Sequence, residues 1–274
     1  MIGVFDSGIG GLTVMRELLR ELPECGYVYL GDTARVPYGS KGPETIRRYA
    51  REGAEFLLNR GARVLVVACN TMSAVAAGDL RTAFPHVPIV EVVVPAVEAA
   101  LATTRIGRIG VLGTRATITS GVYEREITHR QPTTKVVGVV APLLVPLVEE
   151  GWLDAPETVS IIRTYLTPLR EADVDTVILG CTHYPLLEPL IAREMGERVT
   201  IVNPARAVAA IVRERLERDP TLANACQGTS RTFSFTDTTP HTERVASEWL
   251  GVPVTLERAA LPAAVPFTQS AVLH

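Results

Sequence analysis

The sequence has 274 residues, of which 47% are hydrophobic and 21% are charged. A chain of this length and composition buries a large core, so we expect one large domain, or two of about half the length, that fold without disulfide bonds. The net charge of −3 excludes the strongly basic surface typical of nucleic-acid-binding proteins. The expected partner is therefore a small molecule and no nucleic acid.

Neither a secretory leader nor a membrane-spanning segment is predicted. Residues 1–6 lack a basic region, and the longest apolar run, 136–148, contains two prolines and is shorter than the ~20 residues needed to cross a bilayer. We expect a cytoplasmic protein with no membrane partner. Reduced thiols are then expected at all four cysteines, which are Cys25, Cys69, Cys181 and Cys226.

Along the chain, short runs rich in β-branched residues alternate with amphipathic helical patterns. This alternation predicts an α/β fold with a mostly parallel sheet. In chain order, strands are predicted at 2–5, 27–30, 64–68, 109–112, 136–140, 176–179 and 199–202. Helices are predicted at 11–22, 43–59, 158–170, 186–194 and 205–218.

Two of the predicted strands, with the residues that follow them, have a similar counterpart later in the chain. Segment 64–71 aligns with 176–183 at an offset of 112 residues, which matches Cys69 with Cys181. Segment 2–7 aligns with 109–114 at a similar offset of 107 residues. These two offsets predict an internal duplication.

The duplication predicts two pseudo-symmetric domains, each a mostly parallel sheet flanked by helices. The first domain comprises residues 1–95 and a returning C-terminal segment, 211–274, and the second comprises 96–210. Related halves that face each other would place Cys69 and Cys181 on opposite walls of one pocket. We therefore expect the active site in the cleft between the two domains.

Ligands of parallel α/β sheets bind beyond the carboxyl ends of the strands, so the residues that follow each strand are candidate site residues. Five of the predicted strands end in polar or thiol groups. These ends are Asp6-Ser7, Asp32-Thr33, Cys69-Asn70-Thr71, Thr114-Arg115-Ala116-Thr117 and Cys181-Thr182-His183. Because two of them carry thiols at matched positions, the duplication favours a chemical role for both cysteines.

The glycine-rich turn 8–11 leads directly into a predicted helix, so its N–H groups are expected to hold an anion. It lacks the third glycine of the dinucleotide fingerprint, so a carboxylate ligand is favoured over a nucleotide. Asp6 and His183 are expected to assist one thiol each. Glu149 or Glu150 is a further candidate for that role.

No metal or cofactor is expected. A zinc site needs three or four ligands, and His183 is the one candidate ligand near a cysteine in the sequence. Schiff-base chemistry needs a lysine in a desolvated pocket, and the two lysines, Lys41 and Lys135, lie in a polar turn and at the start of a strand. For Cys25 and Cys226 we keep the ordinary interpretation that a buried cysteine is structural.

Two reactions remain open for Cys69 and Cys181. A thiol hydrolase would use Cys181 with His183 and Asp6, and would leave Cys69 without a role. A two-base proton transfer uses both, because one thiolate removes an acidic hydrogen from one face of a carbon and the opposite thiol returns a proton to the other face. This geometry predicts sulfur atoms roughly 6–7 Å apart.

Four segments of the sequence resemble, in order, the motifs of bacterial glutamate racemases. They are Phe5-Asp6-Ser7-Gly8-Ile9-Gly10-Gly11, Asp32-Thr33-Ala34-Arg35-Val36-Pro37-Tyr38-Gly39, Ala68-Cys69-Asn70-Thr71 and Gly180-Cys181-Thr182-His183-Tyr184-Pro185. The resemblance covers residues 2 to about 210. It implies a cofactor-independent isomerase of two pseudo-symmetric α/β domains, which interconverts L- and D-glutamate and supplies D-glutamate for the peptidoglycan of the cell wall.

The same resemblance implies roles for individual residues. Cys69 corresponds to the base that takes the proton from D-glutamate, Cys181 to the base for L-glutamate, and Glu149 to an auxiliary carboxylate beside Cys181 and His183. Relatives of this kind are often homodimers. The residues implied to bind substrate or tune the thiols are Asp6, Ser7, Tyr38, Gly39, Asn70, Thr71, Thr182 and His183, with Thr114 and Thr117 for the side-chain carboxylate.

Two further alternatives stay open. One is a sister racemase that acts on aspartate or a hydantoin, although the motif 32–39 and the sequence Cys181-Thr182-His183-Tyr184-Pro185 favour glutamate. The other is a regulatory protein that binds glutamate without turnover, although the presence of both Cys69 and Cys181 argues against it.

Overall fold

Two parallel sheets, each flanked by helices, make up the fold in the computed structural model, which describes residues 1–261. The strands are β1 Ile2–Asp6, β2 Tyr27–Gly31, β3 Val64–Val67, β4 Ile89–Glu91, β5 Arg108–Gly113, β6 Lys135–Val140, β7 Thr176–Gly180, β8 Thr200–Val202, β9 Arg231–Phe235 and β10 Leu256–Arg258. The α-helices are α1 Leu12–Glu21, α2 Pro43–Asn59, α3 Asn70–Ala83, α4 Val93–Thr103, α5 Arg115–Thr119, α6 Val122–Arg130, α7 Leu144–Glu149, α8 Pro156–Glu171, α9 Glu188–Met195, α10 Pro204–Arg218, α11 Pro220–Cys226 and α12 Pro240–Leu250.

The strand order is β10-β9-β2-β1-β3-β4 in the first sheet and β6-β5-β7-β8 in the second. Every strand pair in the described part of the chain is parallel. Strands β1, β2, β3 and β7 are buried along their whole length, as expected for parallel strands covered by helices on both faces. The α/β class and the parallel sheets predicted from the sequence are confirmed.

The internal duplication is visible in both the strand order and the pairing register. The order β2-β1-β3-β4 of the first sheet is repeated as β6-β5-β7-β8 in the second. Ile2 pairs with Val64 in the first sheet, and Ile109 pairs with Thr176 in the second, which reproduces the two sequence offsets. Strands β3 and β7 are therefore equivalent, and the cysteines that follow them occupy equivalent positions.

The two halves are joined by a continuous hydrophobic core. One cluster of buried side chains includes Val4 of the first sheet and Val177 of the second, and α10 packs against both α1 and α4. Strands β9 and β10, from the C-terminal part of the chain, extend the first sheet beyond β2. The predicted domain boundaries, 95/96 and 210/211, fall inside α4 and α10. The division into two domains stays a prediction.

Several elements were not predicted from the sequence. They include the short strand β4, the C-terminal strands and the helix α3. Helix α3 has no clear apolar stripe, because it buries small and polar side chains, such as Ser73 and Ala76, beside apolar ones. The sequence segment 224–228 indicated a loop around Cys226, and the structure corrects this. Cys226 is the last residue of α11, which Asp219 caps by accepting a hydrogen bond from the Leu222 N–H at 3.0 Å. Within residues 1–261, no helix is long and apolar enough to cross a membrane.

Candidate active site

The thiol of Cys69 lies at the junction between β3 and α3, where it is buried. Its sulfur donates a hydrogen bond to the Ser7 hydroxyl at 3.5 Å. Burial and the nearby Asp6 carboxyl raise the pKa of Cys69 to about 12, although the Ser7 hydroxyl and the Met72 N–H favour the thiolate. A charge on Cys181 also raises this pKa, so the two thiols act electrostatically on each other. Burial and the Asp6 carboxyl therefore favour the neutral thiol at Cys69.

The second thiol, Cys181, follows β7 and belongs to a chain of three groups. Its sulfur lies 3.8 Å from His183 Nδ1, and His183 Nε2 lies 2.8 Å from Glu149 Oε1 at the end of α7. Burial lowers the pKa of His183, but the contacts with Cys181 and Glu149 outweigh it and raise this pKa to about 10. Cys181, His183 and Glu149 therefore form a continuous chain of polar contacts. Glu150, the other carboxylate considered, is exposed and follows α7.

The carboxyl group of Asp6 occupies the glycine-rich turn that precedes α1. Its Oδ2 atom accepts a hydrogen bond from the Gly8 N–H at 2.9 Å, and the N–H groups of Ser7 and Gly11 also face it. Asp6 itself is the nearest acceptor for these N–H groups. That the turn holds the carboxylate of a ligand stays a prediction. Burial raises the pKa of Asp6, and its Oδ1 atom is buried without a hydrogen-bond partner among the described residues.

The same turn contacts the second thiol's neighbours across the two halves. A Cβ atom on Gly10 would lie 2.3 Å from Thr182 Oγ1 and 2.6 Å from His183 Nδ1, so only glycine allows this approach. The Thr13 hydroxyl donates to the Thr182 carbonyl at 2.8 Å. The structure therefore brings the predicted groups around Asp6 and around Cys181 into one site.

Three threonine hydroxyls from both halves form a second polar group. Thr71 Oγ1 lies 3.1 Å from Thr114 Oγ1 and 3.4 Å from Thr117 Oγ1, and the latter two are 3.0 Å apart. A Cβ atom on Gly39 would lie 3.4 Å from the Thr114 Cβ atom, so the turn at Gly39 lies next to this cluster. Neutral hydroxyl groups in this arrangement can donate to a carboxylate.

The hydroxyl of Tyr38, unlike those of the threonine cluster, is bound to a carboxylate of the protein itself. Tyr38 is buried, and its hydroxyl donates to Asp32 Oδ2, which also accepts from Arg35 Nε at 2.6 Å. Asp32 was identified as a strand end but was not selected as a site residue. Its position after β2, in the same row of strand ends as Asp6 and Cys69, was the signal that pointed to it.

Three other residues of the site were missed. They come from distant parts of the chain: Thr13 on α1, Trp249 on α12, whose ring meets the His183 ring edge-on at 5.7 Å, and Tyr123 on α6, which hydrogen-bonds Asn70. Within residues 1–261, no group of three or more His, Cys, Asp or Glu side chains is arranged to hold a metal ion.

Comparison with known proteins places this geometry in a family. A model of the Asp/Glu/Hydantoin racemase family matches residues 2–212. The chain belongs to this family. A glutamate racemase of Geobacter metallireducens is 46% identical over 250 residues, which are 91% of this chain and 92% of that relative. The resemblance found in the sequence motifs is confirmed.

Solved structures of the family have the same fold. A glutamate racemase isoform from Bacillus anthracis aligns with a TM-score of 0.90 at 37% identity, and the alignment covers 96% of this chain and 98% of that one. The glutamate racemase of Francisella tularensis, crystallised in complex with D-glutamate, aligns with a TM-score of 0.87 at 31% identity and covers 94% of this chain and 97% of that one. Both matches extend over nearly the whole racemase chain.

Proposed function

We propose that this chain is a cofactor-independent glutamate racemase in which Cys69 and Cys181 act as the two bases. The observation that carries the proposal is that the two buried thiols follow β3 and β7, which have equivalent places and registers in the duplicated sheets. Such a pair can approach one carbon from opposite faces. Inversion of a stereocentre needs this arrangement, whereas a hydrolase would need only one of the thiols.

In the proposed reaction from L- to D-glutamate, the Cys181 thiolate removes the α-proton. The electron pair of the broken C–H bond is delocalised into the α-carboxylate, and the α-carbon becomes planar. The Cys69 thiol then donates its proton to the opposite face, which forms the new C–H bond and leaves a thiolate at Cys69. In the reverse direction the two cysteines exchange roles.

The surroundings of the two thiols suit this direction. His183, held by Glu149, lies 3.8 Å from the Cys181 sulfur and can exchange a proton with it, whereas burial beside Asp6 favours the neutral thiol of Cys69. For D-glutamate to react, Cys69 must lose its proton, and the substrate ammonium group would favour this by adding a positive charge near the sulfur. We assign to Asp6 the task of binding that ammonium group, because its Oδ1 atom is buried and without a hydrogen-bond partner among residues 1–261.

The other predicted residues would bind the two carboxylates. Asn70 and Ser7 lie next to Cys69 and would bind the α-carboxylate, and Thr182 lies next to Cys181. The hydroxyls of Thr71, Thr114 and Thr117 would bind the side-chain carboxylate together with Gly39. In this proposal Glu149 acts on His183, and Tyr38 acts by fixing Asp32. The product D-glutamate would serve peptidoglycan synthesis in the cytoplasm. The homodimer stays a prediction.

The substrate assignment is tested by circular dichroism of each enantiomer of glutamate and aspartate, with purified protein and no added pyridoxal phosphate. We expect loss of optical activity with both glutamate enantiomers and at least a hundredfold lower kcat/KM with aspartate. Faster racemisation of aspartate would change the substrate assignment. Binding of glutamate without racemisation would favour the regulatory protein considered above.

A further inference from the structure

The hydroxyl of Tyr123 makes a short hydrogen bond from one half of the molecule to the other. Tyr123 is a buried residue of α6, and its Oη atom donates to Asn70 Oδ1 at 2.6 Å. Asn70 is the first residue of α3 and directly follows Cys69. The Asn70 amide is therefore held by a hydrogen bond from a residue that lies outside both thiol-bearing segments.

This hydrogen bond fixes which end of the amide is available to a ligand. The side-chain amide of asparagine has an acceptor end, Oδ1, and a donor end, Nδ2. The proton of a buried phenol needs an acceptor, and Asn70 Oδ1 is the acceptor that the described residues supply for Tyr123. Because Oδ1 is engaged, the Nδ2 group is left to donate.

The ring of Tyr123 has a separate, structural role. It lies in a cluster of buried apolar side chains with Val93, Val111 and Ile178, and a phenylalanine ring would fill the same space. The ring therefore accounts for packing, and the hydroxyl adds one buried hydrogen bond to a residue adjacent to Cys69. The two roles can be separated by a substitution that removes a single oxygen atom.

We propose that Tyr123 is a positioning residue, which holds the Asn70 amide with Nδ2 directed at the substrate α-carboxylate. The inference rests on the proposed racemase function. Without the hydroxyl, the amide can rotate by half a turn and present Oδ1 to the carboxylate, which replaces an attraction by a repulsion. Since the carboxylate is bound in both the ground state and the transition state, the lost binding energy mainly raises KM and leaves kcat nearly unchanged.

The test is the kinetics of Tyr123→Phe with both glutamate enantiomers. We expect kcat/KM to fall about tenfold, the size of one lost hydrogen bond to a charged group, with a rise in KM and less than about a threefold change in kcat. The matched control is Tyr27→Phe, which removes a buried hydroxyl bound to the Leu18 and Leu22 carbonyls at the C-terminal end of α1. The control should keep kcat/KM within about twofold.

A double-mutant cycle with Asn70→Ala separates positioning from packing. If Tyr123 acts through the amide, Tyr123→Phe has no further effect on kcat/KM in the Asn70→Ala background. An unchanged KM in the single variant, or an undiminished loss in the double variant, would overturn the inference. Absence of racemisation by the wild-type protein would instead overturn the proposed function.

A third measurement follows glutamate binding to the wild-type protein and needs no activity from a variant. The side-chain NH₂ signals of Asn70, assigned by their absence from the Asn70→Ala spectrum, should shift when glutamate is added to the ¹⁵N-labelled protein. Signals that stay in place while glutamate binds would show that Nδ2 does not face the ligand.

Discussion

Replacing Glu149 with glutamine removes the negative charge 2.8 Å from His183 Nε2 but leaves an oxygen that can accept the same hydrogen bond. The pKa of His183 is raised from its usual 6.5 to about 10, with Cys181 and Glu149 as the groups that raise it. Glu149→Gln should therefore lower this pKa, while Cys181 keeps it above the usual value. The change isolates the charge of Glu149 from its geometry.

The size of the effect follows from the exposure of the two partners. The side chain of His183 is 9% exposed and that of Glu149 is 45% exposed, so the solvent screens the pair at one end. A charge-assisted hydrogen bond contributes about 1.5–3 kcal/mol when buried, and an exposed ion pair contributes about 0–1 kcal/mol. We expect the partly exposed pair to contribute an intermediate value of about 1.4 kcal/mol, which corresponds to a shift of about one unit in the pKa of His183.

The assay is an NMR titration of the His183 ring protons, assigned by comparison with His183→Gln. We expect the Glu149→Gln midpoint to lie about one unit below that of wild type. The control is Glu150→Gln, which removes the same charge from an exposed position and should leave the midpoint unchanged. A wild-type midpoint near 6.5, or equal midpoints in wild type and Glu149→Gln, would refute the role of this carboxylate.

The same change has a consequence for stability. The pKa of His183 is higher in the folded state than in the unfolded state. Its ion pair therefore stabilises the protein fully at pH values below the unfolded-state pKa near 6.5, and this stabilisation is lost as the pH rises through the folded-state pKa of about 10. The difference in unfolding free energy between wild type and Glu149→Gln should be largest near pH 6 and should nearly vanish above pH 10. A difference in unfolding free energy that grows as the pH rises would contradict the raised pKa of His183.

Two other substitutions test the architecture. Gly10→Ala places a Cβ atom against Thr182 and His183, so we expect kcat/KM to fall at least about a hundredfold, whereas Gly78→Ala, with open space around its Cβ, should leave it unchanged. Equal activity of both variants would contradict the close approach. Asp175→Asn replaces with a neutral amide the carboxylate that accepts hydrogen bonds from Thr104 and from the backbone of residues 105 and 106. It should lower the free energy of unfolding, measured in urea at pH 7, by about 2 kcal/mol. Although burial opposes it, these hydrogen bonds lower the pKa of Asp175, so the cost should shrink as the pH falls below 4, and an equal cost at pH 3 would contradict this.

The sheets and the placement of the thiols could be predicted from the sequence because they depend on short-range patterns. The β-branched runs identified most of the strands, and the offsets of 112 and 107 residues anticipated the equivalent registers of Ile2 with Val64 and of Ile109 with Thr176. Side chains that directly follow a strand are positioned by that strand, so Cys69 and Cys181 were identified correctly as strand-end residues.

The contacts that complete the site could not be predicted in this way. The hydrogen bond from Thr13 to Thr182 joins residues 169 positions apart in the sequence, and that from Tyr123 to Asn70 joins residues 53 positions apart. Both therefore depend on how the helices of one half pack against the other half. Local reasoning was also incomplete at the glycine-rich turn. Asp6, inside the same segment, accepts a hydrogen bond from the Gly8 N–H and faces the N–H groups of Ser7 and Gly11, and the sequence pattern did not indicate this.

The most direct test of the two-base account is incorporation of solvent deuterium at the α-carbon of each glutamate enantiomer by wild type, Cys69→Ser and Cys181→Ser. Because the enantiomers have equal free energy in water, kcat/KM must be the same in both directions, and each single variant must lose racemisation in both. Wild type should place deuterium mainly in the product enantiomer. Exchange that survives should be confined to D-glutamate in Cys181→Ser and to L-glutamate in Cys69→Ser. Racemisation by either variant at the wild-type rate, or exchange of both enantiomers by one variant, would contradict the account.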